Sequence, residues 1–299
     1  MIYRETGNFV TNYLKDRQIV NLSFDKYFLI VFLLIMLFYV PTMSEYALSA
    51  HIIPILAVGL ATLGLNILTG LTGQLSLGTA GFMSVGAFAT YNLLLRIPED
   101  LMSLPFALLI GGIFSGLVGV IFGLPAAKIK GFYLLVSTLA AQYFVWWFFN
   151  SYAWFLNYES SGVVALPPRM YDYWGLGSFL GIDMQGYGPR YVLAFLICLG
   201  LTYFAFNLMR SNTGRSFMSV RDRDIAAGVI GIPVVKTKML AFFISCFYCG
   251  VAGGLYCFAY IGNVDLMIFE IDRSFTILFM VIIGAVSYTH LRAHETCTN

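Results

Sequence analysis

The feature that most constrains this chain is the length of its stretches without a charged residue. No Asp, Glu, Lys or Arg occurs in the 50 residues from Tyr46 to Leu95. Six further uncharged runs are 18 to 28 residues long. A helix needs about 20 mostly apolar residues to cross a membrane. Only 11% of the chain is charged, against about 25% in ordinary soluble domains. We therefore predict an all-α polytopic membrane protein.

The 50-residue run suits two spans joined by a turn. Its best break is at residues 69–74, where glycines and polar residues lie between two apolar stretches. Because lipid offers the backbone no hydrogen bonds, each span is expected to be a helix. The eight predicted spans are residues 27–43, 47–68, 75–95, 104–125, 132–150, 191–209, 239–262 and 273–286.

The distribution of Lys and Arg between the connecting segments predicts the orientation, because cytoplasmic loops carry more of them. One set of alternate segments holds twelve of these residues and the other holds four. The basic set, which we assign to the cytoplasm, is residues 1–26, 69–74, 126–131 and 210–238. The outer set is residues 44–46, 96–103, 151–190 and 263–273. The N-terminus is thus predicted to be cytoplasmic.

Several motifs of energised or catalytic proteins do not occur in the sequence. There is no Gly-x4-Gly-Lys-Ser/Thr loop for nucleotide phosphates, and no predicted span has a charged residue near its middle. The three histidines do not form a metal set within one span. We therefore expect a chain that is not an enzyme, with no catalytic residue, no metal site and no cofactor of its own.

Small and uncharged polar residues are concentrated from Gly59 to Gly81. Such a segment lets helix backbones approach closely, and it also suits an interrupted helix that lines a cavity. Two roles stay open for its polar side chains: hydrogen bonds between neighbouring helices, or contacts with a translocated solute. The candidates for a solute pathway are Asn66, Gln74, Ser76 and, near the middle of a later span, Gln142.

The segment 210–238 is long for a cytoplasmic connection and holds six basic residues. Its stretch Asp222–Ala227 places two acids before Ile-Ala-Ala, which favours the start of a short amphipathic helix. Gly231 is expected to end that helix, and Pro233 to prevent it from resuming. The segment fits two roles equally well. It is either a helix that docks a cytoplasmic partner or a basic loop that only fixes the topology.

Four segments, in order between residues 60 and 285, resemble the inner-membrane permeases of ABC importers for branched-chain amino acids, which have a type II-like importer fold. Each segment alone is a weak signal, but the four together are specific. They are Gly64-Leu-Asn-Ile-Leu-Thr-Gly-x-Thr-Gly-Gln-Leu-Ser-Leu-Gly78, Gly123-Leu-Pro-Ala-Ala-Lys-Ile-Lys-Gly-Phe-Tyr-Leu134, Thr213-Gly-Arg-x4-Val-Arg-Asp-x-Asp-Ile-Ala-Ala-x3-Gly-Ile232, and Lys238-x2-Ala-Phe-x2-Ser245 leading to Ala252-Gly-Gly-Leu-Tyr256.

This resemblance implies that residues 215–232 form the coupling helix, which docks into a cleft of the ATPase subunit. The family commonly has Glu-Ala-Ala-x3-Gly in this loop. Here Ile225 stands at the Glu position, with Asp224 one residue before it. The coupling residues that the resemblance assigns are Arg215, Arg221, Asp222, Asp224, Ala226, Ala227 and Gly231.

The same resemblance implies a multi-pass protein of the bacterial inner membrane that works in a larger assembly. Its expected partners are a related permease in a heterodimer, cytoplasmic subunits that bind ATP and Mg, and a periplasmic substrate-binding protein, with no nucleic acid. The outer segment 151–190 is then expected to face the binding protein. Spans without charge suit a small zwitterion or a neutral amide. A urea or short-amide permease, and a channel or facilitator that needs no ATPase, are the alternatives.

The C-terminus departs from the family pattern. The family continues past Gly284 with a Gly-rich turn and at least one more span, whereas this sequence turns polar inside the eighth predicted span. We therefore expect a cytoplasmic segment at 1–26, a permease domain at 27–286 and a non-native tail at 287–299, with a longer natural protein.

Overall fold

The computed structural model describes residues 23–98, 102–127, 132–159, 162–166 and 186–296. Parts of the predicted segments lie outside the described residues, namely 1–22 of the N-terminal segment, 99–101 and 128–131 of two short connections, 160–161 and 167–185 of the outer segment 151–190, and 297–299 of the tail. The described chain is mainly helical, as the long apolar runs predict.

Eight long helices and two short ones carry most of the described chain. The long helices are α1 (Ser23–Phe38), α2 (Glu45–Leu71), α3 (Thr79–Arg96), α4 (Leu104–Ala127), α5 (Phe132–Ser151), α6 (Tyr187–Arg210), α9 (Val234–Ile261) and α10 (Ile271–Thr296). The short helices α7 (Asn212–Asp222) and α8 (Asp224–Val229) connect α6 to α9. The strands β1 (Val163–Ala165) and β2 (Asn263–Asp265) pair antiparallel, with Val164 opposite Val264.

Each of the eight predicted spans overlaps one long helix, although several bounds differ by a few residues or more. Four helices in the described part of the chain are long and apolar enough to cross a membrane, namely Glu45–Leu71, Leu104–Leu124, Tyr187–Arg210 and Val234–Ile261. These helices confirm the prediction of an all-α polytopic membrane protein. The total of eight spans and the cytoplasmic N-terminus stay predictions.

The centre of the bundle is formed by α3, α4 and α9, which pack through glycines. A Cβ on Gly86 of α3 would overlap the backbone of Gly250 in α9, and a Cβ on Gly253 would overlap the backbone of Met83. Helices can come this close in lipid only where side chains are very small. The buried Ser115 of α4 lies between the same two helices, and its hydroxyl oxygen is 2.7 and 2.9 Å from the carbonyl oxygens of Phe82 and Cys246, which share its single proton.

Long aromatic side chains join the outer helices to this centre and to each other. Tyr248 of α9 donates its phenol to the carbonyl of Leu201 in α6 at 2.7 Å. Tyr191, near the start of α6, donates to the carbonyl of Met36 in α1 at 2.8 Å. Aromatic and aliphatic side chains cover the outward faces of these helices and remain exposed, as expected for surfaces that meet lipid.

The break between α2 and α3 differs in its bounds from the prediction. Residues 69–74 were expected to separate two spans, whereas α2 runs to Leu71 and α3 begins at Thr79. Gly73 ends the helical path because its φ is +68°, a conformation that favours glycine. We call residues 72–78 the strap. The strap replaces the first turn of the predicted span 75–95 because its backbone bonds to another helix, as described below.

Candidate functional site

The segment between α6 and α9 forms two helices rather than the single helix predicted at 215–232. Ser211 caps α7, with its hydroxyl accepting from the Gly214 N–H at 3.2 Å. Phe217 and Val220 of α7 are buried in the protein. Arg223 then adopts an extended conformation, with φ −154° and ψ 102°, which separates α7 from α8. We call residues 211–233 the docking loop.

The α8 helix presents apolar side chains to the outside, although it lies between charged residues. Ile225, Val229 and Ile230 are 74, 86 and 75% exposed. Ala227, on the opposite side of the same helix, is buried. Gly231 has φ +90° and ends α8, as the sequence predicts. The result is a short apolar knob of the kind that marks a protein interaction site.

Ion pairs and hydrogen bonds fix the charged residues of the docking loop. Asp224 at the start of α8 pairs with Lys238 of α9 at 3.7 Å. Arg221 pairs with Asp222 at 3.1 Å, and it also donates from Nη1 to the carbonyl of Gly70 at 2.9 Å. This last bond joins the docking loop to the end of α2, so the two predicted cytoplasmic segments lie at the same end of the bundle.

Two further coupling candidates, Arg215 and Ala226, are exposed to solvent. Arg215 is exposed and donates to the side chain of Asn212. Ala226 is exposed on α8, next to the apolar knob. The structure therefore brings Arg221, Asp222 and Asp224 together at the junction of α7 and α8, and it places Arg215 at the start of α7.

The strap carries two of the predicted pathway residues, and both are buried. The Ser76 hydroxyl accepts from the Gly78 N–H at 3.3 Å. The Gln74 backbone N–H donates to the carbonyl of Leu68 at 3.3 Å. The side-chain nitrogen of Gln74 is buried and has no hydrogen-bond partner among the described residues. A buried amide without a partner costs about 1–3 kcal/mol, which makes Gln74 unusual in this otherwise bonded segment.

A polar cluster of Thr138, Gln142 and Ser274 lies buried where the strap meets α5 and α10. The Leu77 N–H donates to the Thr138 hydroxyl at 3.0 Å. The Ala80 N–H, in the first turn of α3, donates to the Ser274 hydroxyl at 2.9 Å. The cluster therefore completes backbone hydrogen bonds at the start of α3, where a helix leaves donors without partners.

Gln142, midway along α5, is the centre of this cluster. Its amide fits its neighbours best when the nitrogen donates to the Ser274 hydroxyl and the Leu77 carbonyl, both at 2.7 Å. The amide oxygen then accepts from the Ile271 N–H at 3.2 Å. One side chain thus bonds the strap and the first residues of α10 to the middle of α5.

An open cavity of about 240 Å³ adjoins the cluster. At ~30 Å³ per water, it has room for roughly eight waters or a solute of similar size. Mostly apolar walls with a few polar groups are typical of small-molecule sites. The lining residues are Gln142, Tyr143, Trp146, Phe269, Glu270 and Ile271.

The four predicted pathway residues do not form one group. Gln74 and Ser76 lie in the strap, which is bonded to Gln142 through Leu77. Asn66 is exposed on α2 instead, with Oδ1 against Gly70. The sequence did not indicate Ser274 as a site residue, because it directly follows Arg273, the last residue of the predicted outer segment 263–273. Among the described residues, no group of His, Cys, Asp or Glu is placed to hold a metal ion.

Two curated proteins are similar to this chain over most of its length. Both are named "High-affinity branched-chain amino acid transport system permease protein LivM", one from Salmonella typhimurium and one from Escherichia coli. Each is 28% identical, over 251 and 248 residues respectively, which covers 75% of this chain and 55% of the relative. The chain therefore spans about half the length of the curated relatives that it matches. No solved structure matches it.

The family described as "Branched-chain amino acid transport system / permease component" matches residues 47–292. This match begins at the third residue of α2, continues through α9 and most of α10, and includes the strap, the polar cluster and the docking loop. It extends over well above half of the 299 residues. Together with the membrane-spanning helices, it assigns this chain to the permease family of branched-chain amino acid transport systems.

Proposed function

We propose that this chain is the permease subunit of an ATP-driven importer, and that it moves branched-chain amino acids across the bacterial inner membrane. In this proposal the subunit pairs with a related permease. Two cytoplasmic subunits bind ATP and Mg, and a periplasmic protein delivers the solute. The chain itself supplies the helical pathway and the docking surface, and no ATPase site.

The observation that carries this proposal is the exposed apolar knob on α8. Three large apolar side chains, Ile225, Val229 and Ile230, stand in a charged loop outside the spans. Keeping them in water is unfavourable, since each buried side chain of this kind contributes about 1.5–3 kcal/mol. A partner subunit that covers the knob explains why they are there. The names of the two curated relatives support the amino-acid substrate.

Translocation needs a pathway, and the cavity beside Gln142 is a candidate for part of it. It has an amide and a carboxylate among apolar and aromatic walls. Such a site suits a small zwitterion with an apolar side chain better than a large or strongly charged solute. A weak site is sufficient if a binding protein delivers the solute.

The test is capture of the ATP-hydrolysing subunits of a branched-chain amino acid importer, followed by transport in proteoliposomes. The wild-type chain is expected to retain these subunits and to support ATP-driven uptake of leucine. The double variant Ile225→Ser, Val229→Ser is expected to lose capture. Met267→Ser is the matched control, because Met267 is also exposed but follows the opposite end of α9. Concentrative uptake by the chain alone would contradict the proposal.

A further inference from the structure

The strap is held to the docking loop at its first residues. Arg221 donates to the carbonyl of Gly70, just before the strap, at 2.9 Å. Its aliphatic stem packs on the strap itself, since a Cβ on Gly73 would lie 3.2 Å from the Arg221 Cγ. Arg221 therefore contacts the end of α2 and the start of the strap together.

The other end of the strap is held to α5. The Leu77 N–H bonds to the Thr138 hydroxyl at 3.0 Å. A Cβ on Gly78 would lie 2.8 Å from the Thr138 carbonyl, so the two backbones are in direct contact. Gln142, one turn further along α5, bonds the Leu77 carbonyl and lines the cavity. The strap therefore connects Arg221 at one end with Thr138 and Gln142 at the other.

Between these two ends lies Gln74, whose side-chain nitrogen could form one more hydrogen bond if the strap shifted. The buried Gln74 nitrogen has no partner among the described residues, whereas the ends of the strap are bonded to Arg221 and Thr138 through the contacts above. A segment that couples two sites needs two discrete arrangements. If the strap shifts so that an acceptor comes within reach of the Gln74 nitrogen, the new hydrogen bond stabilises a second conformation of the strap.

We propose that Arg221 is the positioning residue that transmits movement of the docking loop through the strap to Gln142 and the cavity. This inference rests on the proposed function, since the docking loop moves only if ATP-hydrolysing subunits bind it. Arg221 acts through Gly70 and Gly73 and touches neither nucleotide nor solute. Removing the Arg221 guanidinium should therefore lower transport while ATP hydrolysis continues. Loss of docking alone would lower both.

The test measures leucine uptake and ATP hydrolysis in the same proteoliposomes, using the whole complex of permeases, ATP-hydrolysing subunits and binding protein. Arg221→Met keeps the stem that packs on Gly73 and removes the donor to Gly70. We expect it to assemble and hydrolyse ATP within about twofold of wild type, while uptake per ATP falls about tenfold, the scale of one charge-assisted hydrogen bond. Arg221→Lys should recover part of that loss.

Lys236→Met is the control, because it removes a positive charge from an exposed side chain in the first turn of α9, outside the docking loop. It should leave uptake per ATP unchanged. Unchanged uptake per ATP in Arg221→Met would overturn the inference, and so would a failure of this variant to capture the ATP-hydrolysing subunits. If the wild-type complex itself shows no ATP-driven uptake, the proposed function is wrong, and the inference about Arg221 falls with it.

Discussion

The centre of the bundle and the knob on α8 use small residues for opposite purposes. In the centre, Gly86 and Gly250 remove side chains so that two helices touch. In the docking loop, Gly231 has open space around it and ends α8 through its positive φ, which leaves Ile225 and Val229 exposed. The same residue type therefore marks tight packing in one region and an open surface in the other.

This difference predicts how the two regions respond to substitution. Changes in the centre should lower the stability of the fold, because the neighbouring atoms there are backbone and cannot move aside. Changes on the exposed side of α8 should lower binding of a partner and leave stability unchanged. The docking loop as a whole does not follow this division, since α7 buries two of its side chains.

The largest effect is expected at Phe217, which is fully buried although it lies in the docking loop. Phe217→Ala should lower the free energy of unfolding by about 3–5 kcal/mol, because it removes a buried aromatic ring and leaves a cavity. Thermal unfolding of the purified protein in detergent measures this change. Met218→Ala, at the neighbouring and less buried position, is the control. If both variants lower the stability only slightly, α7 behaves like the exposed knob, where substitutions leave the fold stable.

A somewhat smaller loss is expected from overpacking the centre. A Cβ on Gly250 would lie 2.5 Å from the Ser115 Cβ and 3.1 Å from the Gly112 Cα. Gly250→Leu should therefore lower the free energy of unfolding by about 3 kcal/mol, measured by the same thermal unfolding. Gly200→Leu is the matched control, since no atom lies within 4 Å of that Cβ. Equal stability of the two variants would show that the glycine contacts in the centre do not limit packing.

The sequence predicts the helices of this fold better than the contacts between them. Runs without charge mark the helices, because a span in lipid tolerates few charges. Gly73 and Gly231 mark helix ends, because their local conformation requires glycine. The strap is different. Residues 75–78 are apolar enough to be helical, and they lie outside a helix because Thr138 and Gln142, more than 60 residues away, bond the backbone of Leu77.

The candidate site shows the same limit. The polar residues of the strap were found because uncharged polar groups are few in the spans. The bond from Arg221 to Gly70 joins positions 151 residues apart, and nothing local in the sequence indicates it. The knob on α8 did have a local signal, since Ile225 and Val229 are four residues apart on one helical face. The coupling residues assigned from the sequence include the neighbouring charged side chains but neither Ile225 nor Val229.

A third prediction measures the polar part of the glycine-packed centre. The single hydroxyl proton of Ser115 in α4 is shared between two backbone carbonyls, one in α3 and one in α9. Ser115→Ala keeps the packing against Gly250 and removes this shared hydrogen bond, so it should lower the free energy of unfolding by about 1 kcal/mol. Ser84→Ala is the control, because among the described residues that hydroxyl bonds within its own helix, to the carbonyl of Gly81. A loss as large as that of Gly250→Leu would mean that hydrogen bonds, rather than close packing, hold the three helices together.

The smallest effect concerns the attachment of α8 itself. Asp224 pairs with Lys238 at 3.7 Å, and both side chains are mostly buried, whereas the pair of Asp222 and Arg221 is largely exposed. Asp224→Asn should lower the free energy of unfolding by about 0.5 kcal/mol, and Asp222→Asn by less. The difference should shrink in about 1 M salt, where the Debye length is about 3 Å. If both variants behave alike at low salt, the ion pair does not hold α8 on α9. The buried Ala227 and the turn at Gly231 would then be what keeps the apolar knob in place.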